Sequence, residues 1–492
     1  MRLNESAQSR YKSLQEKRQP FLHRAQEMAA ITLPSLMPPD GYQGNQKLPE
    51  PYNGLGARCV IQLASRLMTA LLPPGQHFFS LNVPPDYLVR AGQTALDKDT
   101  EQGLALAEKS IHAEIEKKQW RQPTHIGLQH LVVTGNVLEQ MMPDNRIRVF
   151  RLDQYVLTRD PSGEILEIVV EEHVHPANMP ENLLALAGIK QNDRTTVPIY
   201  THVRKTKQNQ WDIYQEIQEQ KIPQSQGSYR INPFNALRWS AVVGEDYGRS
   251  KCEEHQGDLR ALEALSKAML DGAAMASRNI MGVRPNSAGG MNLRRKLAKA
   301  SNGDIVVFNP EDVTMLQFQN TAGLQITQSE LMRISREVGA AFLLGSALTR
   351  SAERVTATEL RQNAEELESA LGGVFSSLAE EMQYARIRRL LLQMQAQTKL
   401  PEWPADLVEP TIITGLEALG RERDLQRINM ALQFSSQLPQ EIQPYVKWSL
   451  LLGRAFNALG LGEVVQTEHE REEKRQEETT QMTETLRQAG IG

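Results

Sequence analysis

The sequence predicts an α+β fold, mainly helical, with small antiparallel sheets and one very long kinked helix. Three observations predict it. Apolar residues recur at threes and fours through the first third of the chain and again from about residue 247 onward. Between about residues 148 and 217 the period drops to two. Finally, the pair Gly372-Gly373 interrupts a helical pattern that runs for about forty residues.

A first helix is expected from about Asn53 to Leu72, after the turn Asn53-Gly54-Leu55-Gly56, with Val60, Leu63, Ala64, Leu67 and Leu71 on one face. Two more are expected over Leu104 to Gln119 and Pro123 to Val133. From Arg148 the alternation takes over. Asp160-Pro161-Ser162-Gly163 reads as a turn, and the strand after it places Leu166, Ile168 and Val170 together. A second strand pair carries Val197, Ile199 and Val203 before the polar turn Lys205 to Gln210, and Trp211, Ile213 and Ile217 after it. This is the pattern of an antiparallel layer.

Helical spacing returns from Tyr247 to about Arg278, with Leu259, Leu262, Leu265, Met269, Ala273 and Ala276 as its stripe. Gly272 and its neighbouring alanines permit a close helix approach. A mixed insert, 282–320, holds the basic run Arg294-Arg295-Lys296 and two strand-like stretches, Asp304 to Phe308 and Val313 to Phe318. The next helix is expected to open on a capping box at Thr327 and Glu330, with Leu331, Ile334, Val338 and Ala341 inward. After a small-residue loop, a second capping box at Thr356 and Glu359 opens the long helix, which reaches to about Gln397, about 60 Å. Its glycine pair lowers helix propensity by ~1 kcal/mol per residue and marks the bend. Loop, shorter helices and the charged stretch Glu468 to Glu478 complete the chain.

Composition excludes several classes. A length of 492 residues allows roughly three cores at ~150 residues each. Hydrophobic residues at 40% and charged residues at 23% suit a folded body. Cys59 and Cys252 are the two cysteines, without paired spacing, so neither a disulfide framework nor a zinc site is indicated. The first ten residues are polar, and no apolar run reaches the ~20 residues of a spanning helix. Net charge is −4, so contact with nucleic acid must be local or weak. No phosphate-cradling Gly-x-x-x-x-Gly-Lys-Ser/Thr loop, nucleophile elbow or His-Glu-x-x-His pair occurs.

The remaining candidates each have a plain alternative. His173 and His175 share a strand face and could hold a metal only with a third ligand. Glu253-Glu254 suits a helix N-terminus better than catalysis. Asp258 and Glu263 stand five apart, a poor spacing for paired carboxylates. The cluster Arg294, Arg295, Lys296 and Lys299 could meet phosphates, a protein partner or solvent.

Helix, basic insert, returning helix, short loop and long kinked helix, in that order, resemble the stem, clip, stem, tunnel loop and kinked helix of tailed-phage portal proteins. Local strings sharpen this to the head-to-tail connectors of short-tailed, Autographivirus-type podoviruses. They are Asn53-Gly54-Leu55-Gly56-Ala57-Arg58, the run Gln129 to Leu138, Asp246-Tyr247-Gly248-Arg249-Ser250 with Gly257-Asp258-Leu259-Arg260, Glu353-Arg354-Val355-Thr356-Ala357, and Glu409-Pro410-Thr411-Ile412 with Thr414 to Ala418. The resemblance covers nearly the whole chain.

It implies a dodecameric ring at the capsid portal vertex, assembled in the host cytoplasm, through which double-stranded DNA is packaged and ejected. Terminase, then tail adaptors, together with capsid and scaffolding proteins, are the implied partners; no catalysis, cofactor or membrane is implied. By analogy the wing is 1–245, the stem 246–281 and 321–344, the clip 282–320, the tunnel loop 345–355, the wing's long helix 356–400, and the crown and tail 401–492. Arg350 and Arg354 are the expected DNA-channel residues of the tunnel loop, and Arg294, Arg295, Lys296 and Lys299 the expected clip contacts for a partner or DNA. A ring subunit needs two unlike faces. Leu259, Leu262, Met269 and Ala273 on one stem helix, with Leu331, Ile334 and Val338 on the other, are the expected subunit-packing residues. A ring-forming scaffold or adaptor that never touches DNA is the alternative.

Overall fold

The computed structural model describes residues 5–74, 77–84, 98–276, 280–283, 290–300, 313–316, 321–344, 366–371, 373–401 and 408–413, with a few single positions besides. Helix α1 (Ala7–Ile31) opens the chain. Ser6 caps it by accepting from Ser9 N, and Glu216, buried in the facing sheet, accepts from Ala7 N at 2.9 Å and Gln8 N at 3.2 Å. A carboxylate on first-turn N–H groups satisfies orphan donors and suits the helix dipole. The helical reading of the first third marked out no separate helix here, because its buried positions include Arg18, whose Nη1 donates to Asp153 O and Tyr155 O at 2.9 and 2.8 Å.

The expected first helix is α2 (Leu55–Leu71), with Val60, Leu63, Ala64 and Leu67 fully buried. Strand β1 (Phe79–Asn82), α3 (Lys98–Lys117) and α4 (Arg121–Thr134) follow. Gly135 ends α4 in the left-handed region at φ +74°, where a Cβ would stand 2.6 Å from the Arg249 carbonyl carbon. That close approach admits only glycine. Asn136 next to it exchanges hydrogen bonds with Gly248, donating to its O at 3.0 Å and accepting from its N at 2.7 Å.

Strands β2 (Asn136–Met141) and β3 (Ile147–Phe150) form a three-stranded sheet with the distant β10 (Phe234–Arg238), in the order β10-β2-β3. The larger sheet runs β4 (Tyr155–Arg159), β5 (Ile165–Val174), β6 (Val197–Lys205), β7 (Trp211–Ile217), β8 (Gln220–Lys221), with β9 (Gly227–Tyr229) also on β7; the short α5 (Glu181–Ala187) packs beside β6. The Asp160 to Gly163 turn and both expected strand pairs are present. Alternation divides the sheet: Tyr155, Leu157, Ile168, Val170 and Val203 enter the main core, and Val156, Val169 and Tyr200 meet Ala7, Tyr11 and Leu14 of α1. The layer is therefore covered on both faces.

The stem-like region departs from expectation in detail. Tyr247 is buried in a loop rather than in a helix, and a single turn, α6 (Lys251–Glu254), precedes α7 (Gln256–Ala276). Strands β11 (Ile280–Val283) and β12 (Val313–Leu316) pair antiparallel, and α8 (Gly290–Lys299) lies between them in sequence. Of the strand expected over Asp304 to Phe308, all but residue 305 lies outside the described residues. Helix α9 (Thr321–Ala341) begins a turn and a half before the expected capping box. Thr327 is inside it, its hydroxyl donating to Gly323 O at 2.9 Å, so that box caps nothing.

The Thr356–Glu359 box lies outside the described residues, but the expected bend is present. Residues 366–371 are helical, Gly373 takes φ +86°, and the helix resumes as α10 (Val374–Leu378), passes through a π-helical turn (Ala379–Tyr384) and ends as α11 (Ala385–Ala396). Gly373 sits where a side chain would be strained, so the pair breaks the helix as its composition dictates. Strand β13 (Glu409–Ile412) pairs antiparallel with β1, Phe79 opposite Ile412. Together with α3 and α11 this pair encloses a second core, with Phe79, Ile111, Ile387 and Leu390 at its centre.

Candidate functional site: the helical stalk and its two ends

Helices α7 and α9 pack together as an antiparallel stalk, rooted in the body and leading outward to β11 and β12. At the root, Leu259, Leu262, Ile334, Val338 and Phe342 are 6% exposed or less and belong to the chain's main core. Leu259, Leu262, Ile334 and Val338, expected to pack a neighbouring subunit, are thus covered within one chain. Leu331 is half-buried against the same core, Met269 is half-buried, and Ala273 is exposed.

The apolar stripe of α7 continues past the point where the chain's own core ends. Gly272 faces α9, where a Cβ would meet Leu324 Cδ2 at 2.7 Å, so the two helices touch closely there. On α7, Leu270 is 55% and Met275 59% exposed; on α9, Ile326 is 67% and Met332 50% exposed. Large exposed apolar side chains on both helices of the stalk are what a contact with another chain can use. None of the four was among the residues expected from the sequence to pack a neighbouring subunit.

At the outer end, α8 is amphipathic. Leu293 is 8% exposed, whereas Arg294, Arg295, Lys296 and Lys299 are all exposed. The four cations of the insert thus lie on a helix, toward its C-terminal half where the helix dipole favours positive charge.

At the inner end, Arg350 and Arg354 lie outside the described residues. The two sides of their segment are nevertheless tied to one residue. Arg66 of α2, 5% exposed, donates from Nη1 to Leu343 O at 3.2 Å and from Nη2 to Glu366 Oε2 at 2.8 Å. One buried guanidinium so holds the end of α9 beside the start of the bent helix. Further along, Arg386 of α11 donates from Nε to Glu139 Oε2 at 2.9 Å, from Nη2 to Glu139 Oε1, and from Nη1 to Thr124 Oγ1 at 2.8 Å, fixing α11 against β2 and α4. Neither arginine carries a spacing signal in the sequence.

The other candidates are structural. His175 Nδ1 accepts from Ala177 N, His173 lies 4.0 Å from Glu171, and no cluster of three metal-ligating side chains occurs among the described residues. Glu263 accepts from Tyr52 N at 2.6 Å and Asn53 N at 3.2 Å, holding the loop before α2, and Asp258 faces His255. Both cysteines are buried, and burial pushes the Cys59 thiol up to about 11. No described helix is long and apolar enough to cross a membrane.

A body with several packed cores, a stalk of two helices that expose large apolar side chains, a basic helix at its outer end and a glycine-bent helix have the make-up of a structural subunit. The bacteriophage head to tail connecting protein family model matches residues 4–464, and the chain belongs to that family. It is similar to the portal proteins of Escherichia phage T7 (34% identity over 97% of this chain and 91% of that one), Enterobacteria phage T3 (34%, 93% and 87%) and Enterobacteria phage SP6 (29%, 89% and 85%). The expected family is thereby borne out, and it is a structural family, not an enzyme family. The fold likewise agrees in class: mainly helical, with small antiparallel sheets.

Proposed function

We propose that twelve copies of this chain close into a ring at the capsid portal vertex, and that the ring's bore conducts double-stranded DNA during packaging and ejection. The observation that carries the reading is the exposure of large apolar side chains on both stalk helices, Leu270, Met275, Ile326 and Met332, in a member of the connector family. Rotating one such subunit against the next can cover such side chains in every copy, and a head-to-tail contact of that kind closes into a ring when the rotation permits.

In this reading the wing is 1–245, the stem is 246–281 with 321–344, the clip is 282–320, the tunnel loop is 345–355, the long helix is 356–400, and the crown and tail are 401–492. Arg350 and Arg354 offer transient phosphate contacts, repeated around the bore. DNA must slide, so weak local contact on a chain of net charge −4 serves better than tight binding. The exposed cations Arg294, Arg295, Lys296 and Lys299 form the clip's contact with terminase, then with tail adaptors; capsid and scaffolding proteins meet the wing.

Negative-stain imaging and particle mass of the purified protein test the assembly. A twelve-subunit ring with a bore that admits a duplex is expected. A ring with a bore too narrow for a duplex, or an open assembly, overturns the conduit and leaves a scaffold or adaptor. Replacing Arg350 and Arg354 by alanine should leave the ring intact and alter DNA packaging or retention; unchanged packaging removes them.

A further inference from the structure

Away from the stalk, a cleft of about 410 Å³ opens between the β10-β2-β3 sheet, the β4–β5 turn and α11. Six basic side chains line it against three carboxylates. Two of the six are neutralised locally: Arg386 by Glu139 and Lys205 by Glu164. Arg159 is committed to carbonyl oxygens, donating to those of Gly163, Ala236 and Asp246.

Arg388 and Arg389 differ. Both are half-buried on α11, and among the described residues neither meets a carboxylate. Arg388 lies over the Tyr384 ring. Arg389 lies over Tyr229 and donates to Ile231 O at 2.9 Å, while its buried Nε has no hydrogen-bond partner. Burial lowers the Arg389 pKa, and Tyr229 is the one group that works against it. A guanidinium stays charged nonetheless. Two adjacent cations, partly stripped of water and short of counter-charge, form a receptor for carboxylate or phosphate.

The surroundings choose between those anions. Phe234 and Trp211 supply an apolar wall, and the carboxylate of Glu381 stands in the same lining. A phosphate backbone, charged at every step, is repelled by the latter and has no aliphatic side chain to seat against the former. A peptide with spaced carboxylates and an apolar side chain between them fits both.

We propose that this cleft docks a short acidic segment of a partner protein, its carboxylates meeting Arg388 and Arg389 and its apolar side chain seated against Trp211 and Phe234. This site is separate from the stalk and does not depend on the conduit reading.

The test uses the full chain in its native assembly and a fluorescein-labelled Glu-Glu-Leu-Glu-Glu peptide, followed by anisotropy, beside its Gln-Gln-Leu-Gln-Gln counterpart. Saturable binding of the acidic peptide alone is expected, weakened about tenfold or more in R388A/R389A and unchanged in K12A/K47A, two exposed lysines away from the cleft, since loss of a charge-assisted pair costs at least that factor. In the unsubstituted protein, the peptide should slow phenylglyoxal modification of Arg388 and Arg389 but not of Arg295. This second measurement needs no variant to fold. Binding unaffected by R388A/R389A, no protection of the two arginines, or displacement of the peptide by inorganic phosphate or by an oligonucleotide of equal charge overturns the proposal.

Discussion

Replacing Glu139 by alanine tests how α11 is held to the body. The Glu139 and Arg386 side chains are 4% and 5% exposed, and the carboxylate takes two bonds from the guanidinium. Deleting it strands a positive charge whose remaining hydrogen bond among the described residues is to Thr124 Oγ1 at 2.8 Å. Removing one member of a buried pair costs ~3–5 kcal/mol, chiefly through the uncompensated charge left behind. Glu139→Gln keeps one acceptor and should lose less, ~1.5–3 kcal/mol, the range for a hydrogen bond to a charged group. Replacing both residues by methionine removes the stranded charge along with the pair and should recover most of the loss. Urea unfolding followed by circular dichroism, on dilute unassembled protein, reads all three. A Glu139→Ala cost under ~1 kcal/mol, or a double variant no better than the single one, refutes the claim that a dry ion pair fastens this helix.

Three further outcomes are expected. Leu270→Asp with Met332→Asp, on exposed stalk positions, should abolish higher-order assembly by mass photometry while leaving the monomer's unfolding midpoint within the ~0.5 kcal/mol usual for surface changes. Reversing Arg294, Arg295, Lys296 and Lys299 to glutamate should leave the assembly intact and weaken binding of terminase or of a tail adaptor in a pull-down; retention of both interactions removes α8 from the contact. His130 is buried, and burial lowers its pKa to about 4, with Arg151 adding to the shift. The unfolded chain takes up that proton near 6.5, so the stability this residue contributes is whole above pH 6.5 and falls as pH drops toward 4, by ~2–3 kcal/mol at pH 4.5. His130→Phe should flatten that part of the pH profile, and an unchanged slope would mean other groups set it.

What could be read from the sequence follows from what sequence periodicity reports. The α2 face, the β4–β5 turn, the β6 and β7 strands and the bend at Gly373 are local, each set by residues within a few positions of one another. Strand β2 escaped notice because its partner β10 comes almost a hundred residues later and its own burial is nearly continuous rather than alternating. Helix α1 was hidden by Arg18, a charged residue on its buried face. The stalk's apolar stripe leaves its partner open for a related reason. An apolar stripe states that something covers it, and Val338 at 0% exposure shows that the cover can be the same chain. The Arg66 tie joins positions 300 residues apart, and the arginine cleft gathers side chains from several separate segments, so neither leaves any spacing to read.

The pairing of β1 with β13 bears on how the chain is made. Phe79 meets Ile412, so β1 emerges from the ribosome with no strand to complete it until roughly 330 more residues have been added, ~15–65 s at bacterial elongation rates. For that interval an exposed strand edge faces the crowded cell, a template for stray pairing. The second core, which needs α3, α11 and both strands, closes only once β13 has been made, and until then the growing polypeptide stays an unfinished body.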